Sequence, residues 1–495
     1  MRAFAVLIAL VLSFHSARAA AQRVVAPAPI SAAEYAARRD SLLARLGDGA
    51  AVVAFGERAP IGFPPFYQVP AFRYLTGFLE PEAALLLVRR AGATSAILFR
   101  EPRSARDVIT DGPAEDSAAL AARTGLALRP LAALPSAVDS LLAAGGALRT
   151  LRDVRPYGGT VDSLTRGAAF ASALGRRTPP VAPRSADAQL DSLRARKSDA
   201  EFSLLRRAAD VTSATLRETI ARIRPGMREY EIQALIEYGF RSRGADRPGF
   251  ATNVSAGTNA TIVHHRASDD AADAGALVLM DVGAAWQGYT ADVTRTVPAS
   301  GRFTPEQRAI YQLVRDAQAA AERLARPGAS VRELSDTARA VIARGLTRLG
   351  LIEAEDASFD PPWVPSCATT PAACRQSNLF YSHGLGHGIG LEVHDPAYSA
   401  GPTGPTLARG DAFTIEPGVY VNRQRLLLLP DTPRNRALVA RVRAAVDRYH
   451  GIGVRIEDDY LVTSRGVERI TTAPREIDEI ERSMRRTPRA EPARE

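Results

Sequence analysis

Apolar and polar positions alternate along this chain in two distinct ways, and the change between them marks its organisation. From about Ser31 to Ala173, short apolar runs interleave with helical spacing. Ala32 to Leu46 carries helical periodicity, Ala50 to Phe55 is a short apolar strand, and Ala83 to Val88 and Ser95 to Phe99 are two more. Ala/Leu stretches at Ser117 to Ala122 and Ser136 to Ala144 read as helices. Strands mixed with helices in this way predict a small α/β domain. Between its first two strands, Phe72-Arg73-Tyr74-Leu75-Thr76-Gly77-Phe78 leads into Glu80-Pro81-Glu82. Its aromatics read as core or domain-interface packing, and this region holds no catalytic constellation.

Gly175 to Arg184 is rich in proline and arginine and reads as a linker. Beyond it, Ser198 and Glu201 form a capping box ahead of a helix with a mostly apolar face of Leu205, Ala208, Thr212, Leu216, Ile220 and Ile223. Arg224-Pro225-Gly226 stops that helix, and Tyr230 to Phe240 forms the next before the pattern turns to strands. The same punctuation returns about a hundred residues later. Thr304-Pro305-Glu306-Gln307 caps a helix that stops at Arg326-Pro327-Gly328, and Ser330 with Glu333 caps its successor. Two similar halves predict one pseudo-symmetric domain in which each half contributes to a central site. The resulting division is 1–19 export signal, 30–175 N-terminal α/β domain, 176–187 linker, 188–475 second domain and 476–495 tail. Asn422 to His450 interrupts the second half as a surface insertion, and Arg485 to Glu495 has the composition of a disordered end.

Composition adds the address. Met1-Arg2, the apolar stretch Ala5 to Phe14 and Ala17-Arg18-Ala19 have the form of a cleavable export signal. That stretch is too short to span a bilayer, and no later one qualifies, so a secreted or periplasmic protein is expected. The formal net charge of +9 does not indicate a nucleic-acid partner. Lys197 is the sole lysine, the arginines are spread along the chain, and no basic cluster is interleaved with aromatics. Cys367 and Cys374, the only cysteines, are expected to close a small disulfide in an exported protein.

Candidate chemistry gathers in the second domain. His383-Gly-Leu-Gly-His387-Gly-Ile-Gly-Leu-Glu-Val-His394-Asp395 packs three of the seven histidines among four glycines. Alone it could be a glycine-rich surface turn. Four carboxylates at the ends of apolar strands change that reading. Leu277 to Met280 runs into Asp281, and a hairpin turning near Trp286-Gln287 would set Asp281 directly opposite Asp292. Opposed like charges in a buried sheet need neutralising. Phe413-Thr414-Ile415 ends at Glu416-Pro417-Gly418, and Val454-Arg455-Ile456-Glu457-Asp458 is another strand. Each acid by itself is as readily a surface charge. Together with a histidine they form a hard, oxygen-rich set suited to Mn²⁺, with Zn²⁺ or Co²⁺ as alternatives. Four carboxylates exceed the need of one ion, and two bridged ions fit better.

These segments resemble the aminopeptidase P/prolidase family. The matching pieces are Ile262-Val263-His264, Asp281, Asp292-Val-Thr-Arg, His383-Gly-Leu-Gly-His387, Val393-His394-Asp395, Glu416-Pro-Gly and Arg455-Ile-Glu457-Asp458-Asp459. They span about Leu190 to Thr472, with Tyr74 to Phe78 extending the likeness into the first domain. The resemblance implies a creatinase-like N-terminal domain, a pita-bread catalytic domain and hydrolysis of the bond before proline in peptides. It implies Asp281, Asp292, His387, Glu416 and Glu457 as metal ligands, with Asp292 and Glu457 bridging and Glu416 also taking a proton. It implies His264, His383 and His394 around the substrate and Arg455 on the substrate side, with His265 as the neighbouring alternative to His264. A dipeptidase acting on Xaa-Pro and a non-catalytic peptide-binding module are the alternatives to an aminopeptidase, and assembly into a homo-oligomer is left open. The N-terminal domain lacks the Trp-containing motif that often follows the match to Glu101, and the Cys367–Cys374 loop and the Asn422–His450 insertion are atypical of short relatives.

Overall fold

The computed structural model describes residues 29–60, 65–153, 165–401 and 404–485. The expected export signal and residues 486–495 of the tail lie outside them. Ala50–Phe55 is buried at all six positions, so it needs cover on both faces. It lies inside a six-stranded mixed sheet, between Ala83–Arg90 and Ala147–Thr150. Ala93–Arg100 and Ala127–Pro130 continue the sheet on one side. On the other side Arg184–Ser185, within the stretch read as linker, pairs with Arg149 and Thr150 and extends it. Helix Ala32–Leu46 turns its buried face to the sheet; Ser31 caps its start, accepting from the Glu34 amide at 3.2 Å.

The aromatic segment lies at the domain interface. Phe72, Tyr74, Leu75 and Phe78 share one buried cluster with Tyr289, Ala291, Ile389 and Leu391 of the second domain. Glu201 of the second domain carries a polar contact across that interface, to Arg38. The Tyr289 hydroxyl donates to Glu201 Oε1 at 2.9 Å, and the Arg38 guanidinium lies 3.2 Å from Glu201 Oε2.

The second domain repeats itself as the punctuation predicts. Helix Asp199–Arg222 begins at the Ser198/Glu201 capping box, and helix Glu229–Ser242 follows it. Helices Pro305–Leu324 and Val331–Arg348 occupy the same places in the other half. Gly226 and Gly328, which close the two Arg-Pro-Gly turns, have φ of +88° and +85°, a region that costs glycine little. Each half then lays antiparallel strands against its helices. Asn253–Ala256, Leu277–Val282 and Val293–Pro298 pair in the first half, and Ala412–Ile415, Asp458–Thr463 and Gly466–Arg469 in the second.

One register differs from expectation. The hairpin turns at Gln287-Gly288, both with positive φ (+47° and +80°), as a tight two-residue turn demands. Trp286 therefore pairs with Tyr289, and Asp281 faces Thr294 instead of Asp292. The shift is two positions, so Asp281 and Asp292 stay on one face as diagonal neighbours.

The two atypical segments support each other. Cys367 and Cys374 are disulfide-bonded, and the loop they close lies beyond Asp360. That residue bridges to the insertion: Asn435 Nδ2 donates to its carbonyl at 2.9 Å, the Thr432 hydroxyl to its carboxylate at 2.6 Å, and Arg434 pairs with it. Replacing both cysteines by serine removes a short covalent loop worth up to about 2.5 kcal/mol by chain entropy. Hydrogen exchange should then accelerate between residues 358 and 375 with the rest of the domain unchanged. In the parent protein, intact mass should show alkylation of both thiols only after reduction.

Candidate metal centre

The glycine-histidine stretch lies along the strand Ala412–Ile415. His387 N–H donates to the Thr414 hydroxyl at 3.2 Å, and Thr414 N–H donates back to the His387 carbonyl at 2.9 Å. A Cβ at Gly386 would run into the Thr414 carbonyl, and one at Gly388 into the carbonyl of Asp395. Close backbone approach, rather than an unusual φ, accounts for those two glycines. The far end of the stretch is tied down by Asp395, whose buried carboxylate pairs with Arg194 and lies 3.0 Å from Lys197 Nζ. The chain's only lysine is thus a buried anchor.

The loop carries His387 Nε2 to 3.4 Å from Asp292 Oδ2, 3.5 Å from Glu416 Oε1 and 4.0 Å from Glu457 Oε1. Asp292, His387 and Glu457 each offer a ligand atom, all within 4.8 Å of one another. The His387 Nδ1 faces the Gly388 carbonyl at 3.1 Å. A carbonyl only accepts, so the proton sits on Nδ1 and the Nε2 lone pair points at the carboxylates. Burial, helped by His394, brings the His387 pKa down to about 4, which keeps the ring neutral as metal ligation requires.

The acids respond in the opposite sense. Burial and then Glu457 and Asp281 raise Asp292 well above its ordinary value. Burial and Glu457 do the same to Glu416, and burial with Asp281 lifts Glu457 to about 7. Asp292 Oδ1 and Glu457 Oε1 are buried without a hydrogen-bond partner among the described residues. Buried oxygens left unpaired are costly, and a divalent cation among them satisfies oxygens and charge together. The donor set fits such an ion.

Asp281 is engaged elsewhere. Its carboxylate pairs with Arg455, which is 2 % exposed and also donates Nε to Thr294 Oγ1 at 3.0 Å and a terminal nitrogen to the Tyr420 hydroxyl at 2.7 Å. The resemblance implies a substrate-side arginine; here Arg455 is buried and spends its donors inside the protein. The Tyr420 hydroxyl in turn faces His383 Nε2 at 2.8 Å, and His383 Nδ1 lies 2.8 Å from the Gly384 carbonyl and 3.8 Å from Glu416. Burial, then Arg455, holds His383 down at about 3. The His394 ring packs against His387 at a 46° tilt, with ring centroids 4.1 Å apart. His264 is exposed and lies where its charge disfavours protonation of both His383 and His394. His265 instead pairs with buried Glu229 at 2.7 Å, which assigns it to the structure of its loop.

Tyr420, Thr294 and Asp459 belong to the site and were not singled out by sequence patterning. The Thr294 hydroxyl donates to Glu457 Oε2 at 2.7 Å, and Asp459 accepts the Asp292 amide at 3.1 Å. Thr294 and Asp459 stand inside matching pieces, each two residues from a singled-out acid, and Tyr420 lies four residues beyond Glu416; those positions were the available signal.

A pseudo-two-fold β core with carboxylates from both halves converging on a histidine defines a pita-bread metallopeptidase. The chain belongs to metallopeptidase family M24, in its aminopeptidase P/prolidase branch. The M24 family model matches residues 203–464, and that of the aminopeptidase P N-terminal domain matches 35–148. The chain is 29 % identical to the Xaa-Pro aminopeptidase of Escherichia coli K12, covering 91 % of this chain and 98 % of that one. It is 31 % identical to the Xaa-Pro aminopeptidase of Haemophilus influenzae, covering 91 % and 97 %. Proline aminopeptidase P II from Yersinia pestis superposes with a TM-score of 0.74 at 30 % identity, covering 92 % of this chain and 99 % of that one. Among the described residues no helix is long and apolar enough to cross a membrane.

The crowded acids set a sign for pH. Glu457 titrates near 4.5 when unfolded and about 7 when folded, so the native state holds the proton more tightly. In chelator-treated protein this contribution to stability is complete below about 4.5 and lost as pH rises through about 7. The melting temperature of stripped protein should fall across that window, and saturating Mn²⁺ should abolish the fall. A slope unaffected by metal would show that the carboxylates responsible for it do not hold the ion.

Proposed function

We propose that this protein is an exported Xaa-Pro aminopeptidase that uses two divalent ions, Mn²⁺ in the first instance, to hydrolyse the bond between an N-terminal residue and a following proline. The observation that carries the reading is the convergence of Asp292, His387 and Glu457 within 4.8 Å, with two buried carboxylate oxygens unpartnered. Asp281, Asp292, His387, Glu416 and Glu457 would hold the ions. When bound, the ions supply positive charge that stabilises the transition state and acidifies water.

The chain's own residues account for the remaining steps. Glu416, beside both His387 and His383, takes the proton released when water attacks the carbonyl and returns it to the departing proline nitrogen. That nitrogen belongs to a tertiary amide without an N–H, so it needs a proton before it can leave as an amine. Tyr420 orients His383 by donating to its Nε2 while accepting from Arg455, and the exposed edges of His264 and His394 line the approach.

The state of Arg455 favours an aminopeptidase over a dipeptidase. A dipeptidase must meet a free prolyl carboxylate with an available cation, and each nitrogen of Arg455 already has an internal partner. Export is supported by the apolar N-terminal stretch and by the Cys367–Cys374 disulfide, a bond that persists in oxidising compartments.

Two measurements test the reading. Purified protein with Mn²⁺ should cleave Ala-Pro-Ala with higher kcat/KM than Ala-Pro. Hydrolysis of the dipeptide alone would make it a dipeptidase, and cleavage of Ala-Ala-Ala with neither proline peptide cut would remove proline specificity. Asp292→Asn should abolish turnover in a folded protein; near-normal turnover with two ions still bound per chain would sink the two-ion site.

A further inference from the structure

Arg425, near the start of the insertion, spends its guanidinium on two carbonyls from opposite halves of the second domain. It donates to the Leu379 carbonyl at 2.6 Å and to the Thr261 carbonyl at 3.1 Å, and it lies 5.8 Å from the centre of the Tyr420 ring. Burial draws its pKa below the usual arginine value, and among the described residues no acid pairs with it. A half-buried cation that faces only neutral oxygens carries a desolvation cost that charge pairing does not offset. What it provides is geometry, since a planar guanidinium fixes two acceptors at once.

Both acceptors stand just ahead of a histidine of the site. Thr261 is three residues before His264, and Leu379 is four before His383. The two rings are near each other, because the charge of His264 disfavours protonation of His383. Both lie on irregular backbone, so no helix or strand ladder sets their separation. Buried Glu229 holds the two ends of the His264 loop, accepting from the Ala256 amide at 2.7 Å and the Ser268 amide at 2.8 Å. Thr261, between those ends, is held by the insertion. Asn422 Nδ2 donates to its Oγ1 at 2.9 Å, and the Gln424 amide donates to Asn422 Oδ1 at 2.9 Å. The insertion is itself fixed: Leu426, Leu438, Val442 and Val446 are buried in the main core.

We infer that Arg425 is a positioning residue: by joining Thr261 to Leu379 it sets the spacing between His264 and His383. The inference rests on the peptidase reading, in which each half of the domain presents one of these histidines to the substrate. Neither histidine is a candidate metal ligand. Loss of the bridge therefore leaves the metal donors in place and lets the two rings drift apart, and a misplacement of about 1 Å costs up to about a hundred-fold in rate.

The test compares the parent, Arg425→Ala, His264→Ala and the double variant as full-length, Mn²⁺-loaded proteins acting on Ala-Pro-Ala. Arg425→Ala should lower kcat about ten-fold and change KM by under about two-fold, with bound metal per chain unchanged. Arg425→Lys, which can serve one carbonyl, should fall between. With His264 already alanine, Arg425→Ala should cost under about two-fold in kcat, while the melting temperature drops equally in both backgrounds. An equal loss of kcat in both backgrounds, or a loss that follows the metal content, would overturn the inference. Hydrogen exchange separates it from the peptidase reading. In Arg425→Ala, amides at 257–266 and 376–383 should exchange faster, with 277–298 unchanged. That pattern in a protein that cuts no proline peptide would retain the bridge and reject the peptidase. Unchanged exchange in either segment would reject the bridge whatever the activity. If Arg425→Ala does not fold, Arg425→Lys carries the same comparisons.

Discussion

Asp292, Glu416 and Glu457 converge on a neutral imidazole in a largely buried place, with Asp281 close enough to disfavour their ionisation. Buried like charges repel and forgo solvation, and a polypeptide tolerates such a cluster only where something positive belongs in it. Much of the surrounding structure manages this one repulsion. Arg455 neutralises Asp281 and reaches Thr294 and Tyr420. Asp459 occupies the amide of Asp292. Behind them the buried pair Arg295–Asp458, joined by Arg475, returns charge balance to the second layer. Replacing one member of such a pair leaves the other buried and unpaired, which costs several kcal/mol.

Pseudo-symmetry makes the convergence geometrically possible. Each half ends apolar strands on acids, and the halves meet through backbone: Glu457 N–H donates to the Thr294 carbonyl at 3.1 Å. The N-terminal domain contributes no candidate ligand, but it braces the hairpin that carries Asp281 and Asp292. Arg73 packs so closely on Gly288 at the hairpin tip that a Cβ there would meet the guanidinium at 2.5 Å. Arg194 and Lys197, near the start of the second domain, hold the far end of the glycine-histidine stretch by fixing Asp395. Rigid support of this kind holds ligand atoms in place before any ion arrives.

The two atypical segments occupy the rim. Asp360 joins the disulfide-closed loop to the Thr432–Asn435 end of the insertion, and Arg425 of the insertion donates to the carbonyls of Leu379 at 2.6 Å and Thr261 at 3.1 Å. Those contacts tie the insertion to the segments that lead into His264 and His383, and none of them involves a candidate donor.

Periodicity and punctuation carried a good deal in the sequence alone. The helix Ala32–Leu46, the apolar run Ala50–Phe55, the capping boxes and the paired Arg-Pro-Gly turns are local features, set by side-chain spacing and by residues with restricted φ, so they could be read from neighbours in the chain. The donor residues were legible because metal chemistry demands particular side chains at the ends of apolar strands. What neighbours could not decide was register and partnership. The hairpin register depended on which residues took positive φ, and Gln287-Gly288 took it in place of Trp286-Gln287. His264 and His265 are alternatives in the sequence, and only the fold pairs His265 with Glu229, distant in sequence and buried. Arg455 looked available to a substrate until the fold brought Thr294, Tyr420 and Asp281 to its three nitrogens. Each of these turns on contacts between residues far apart in the chain, and only the packed tertiary structure brings such residues within hydrogen-bonding distance.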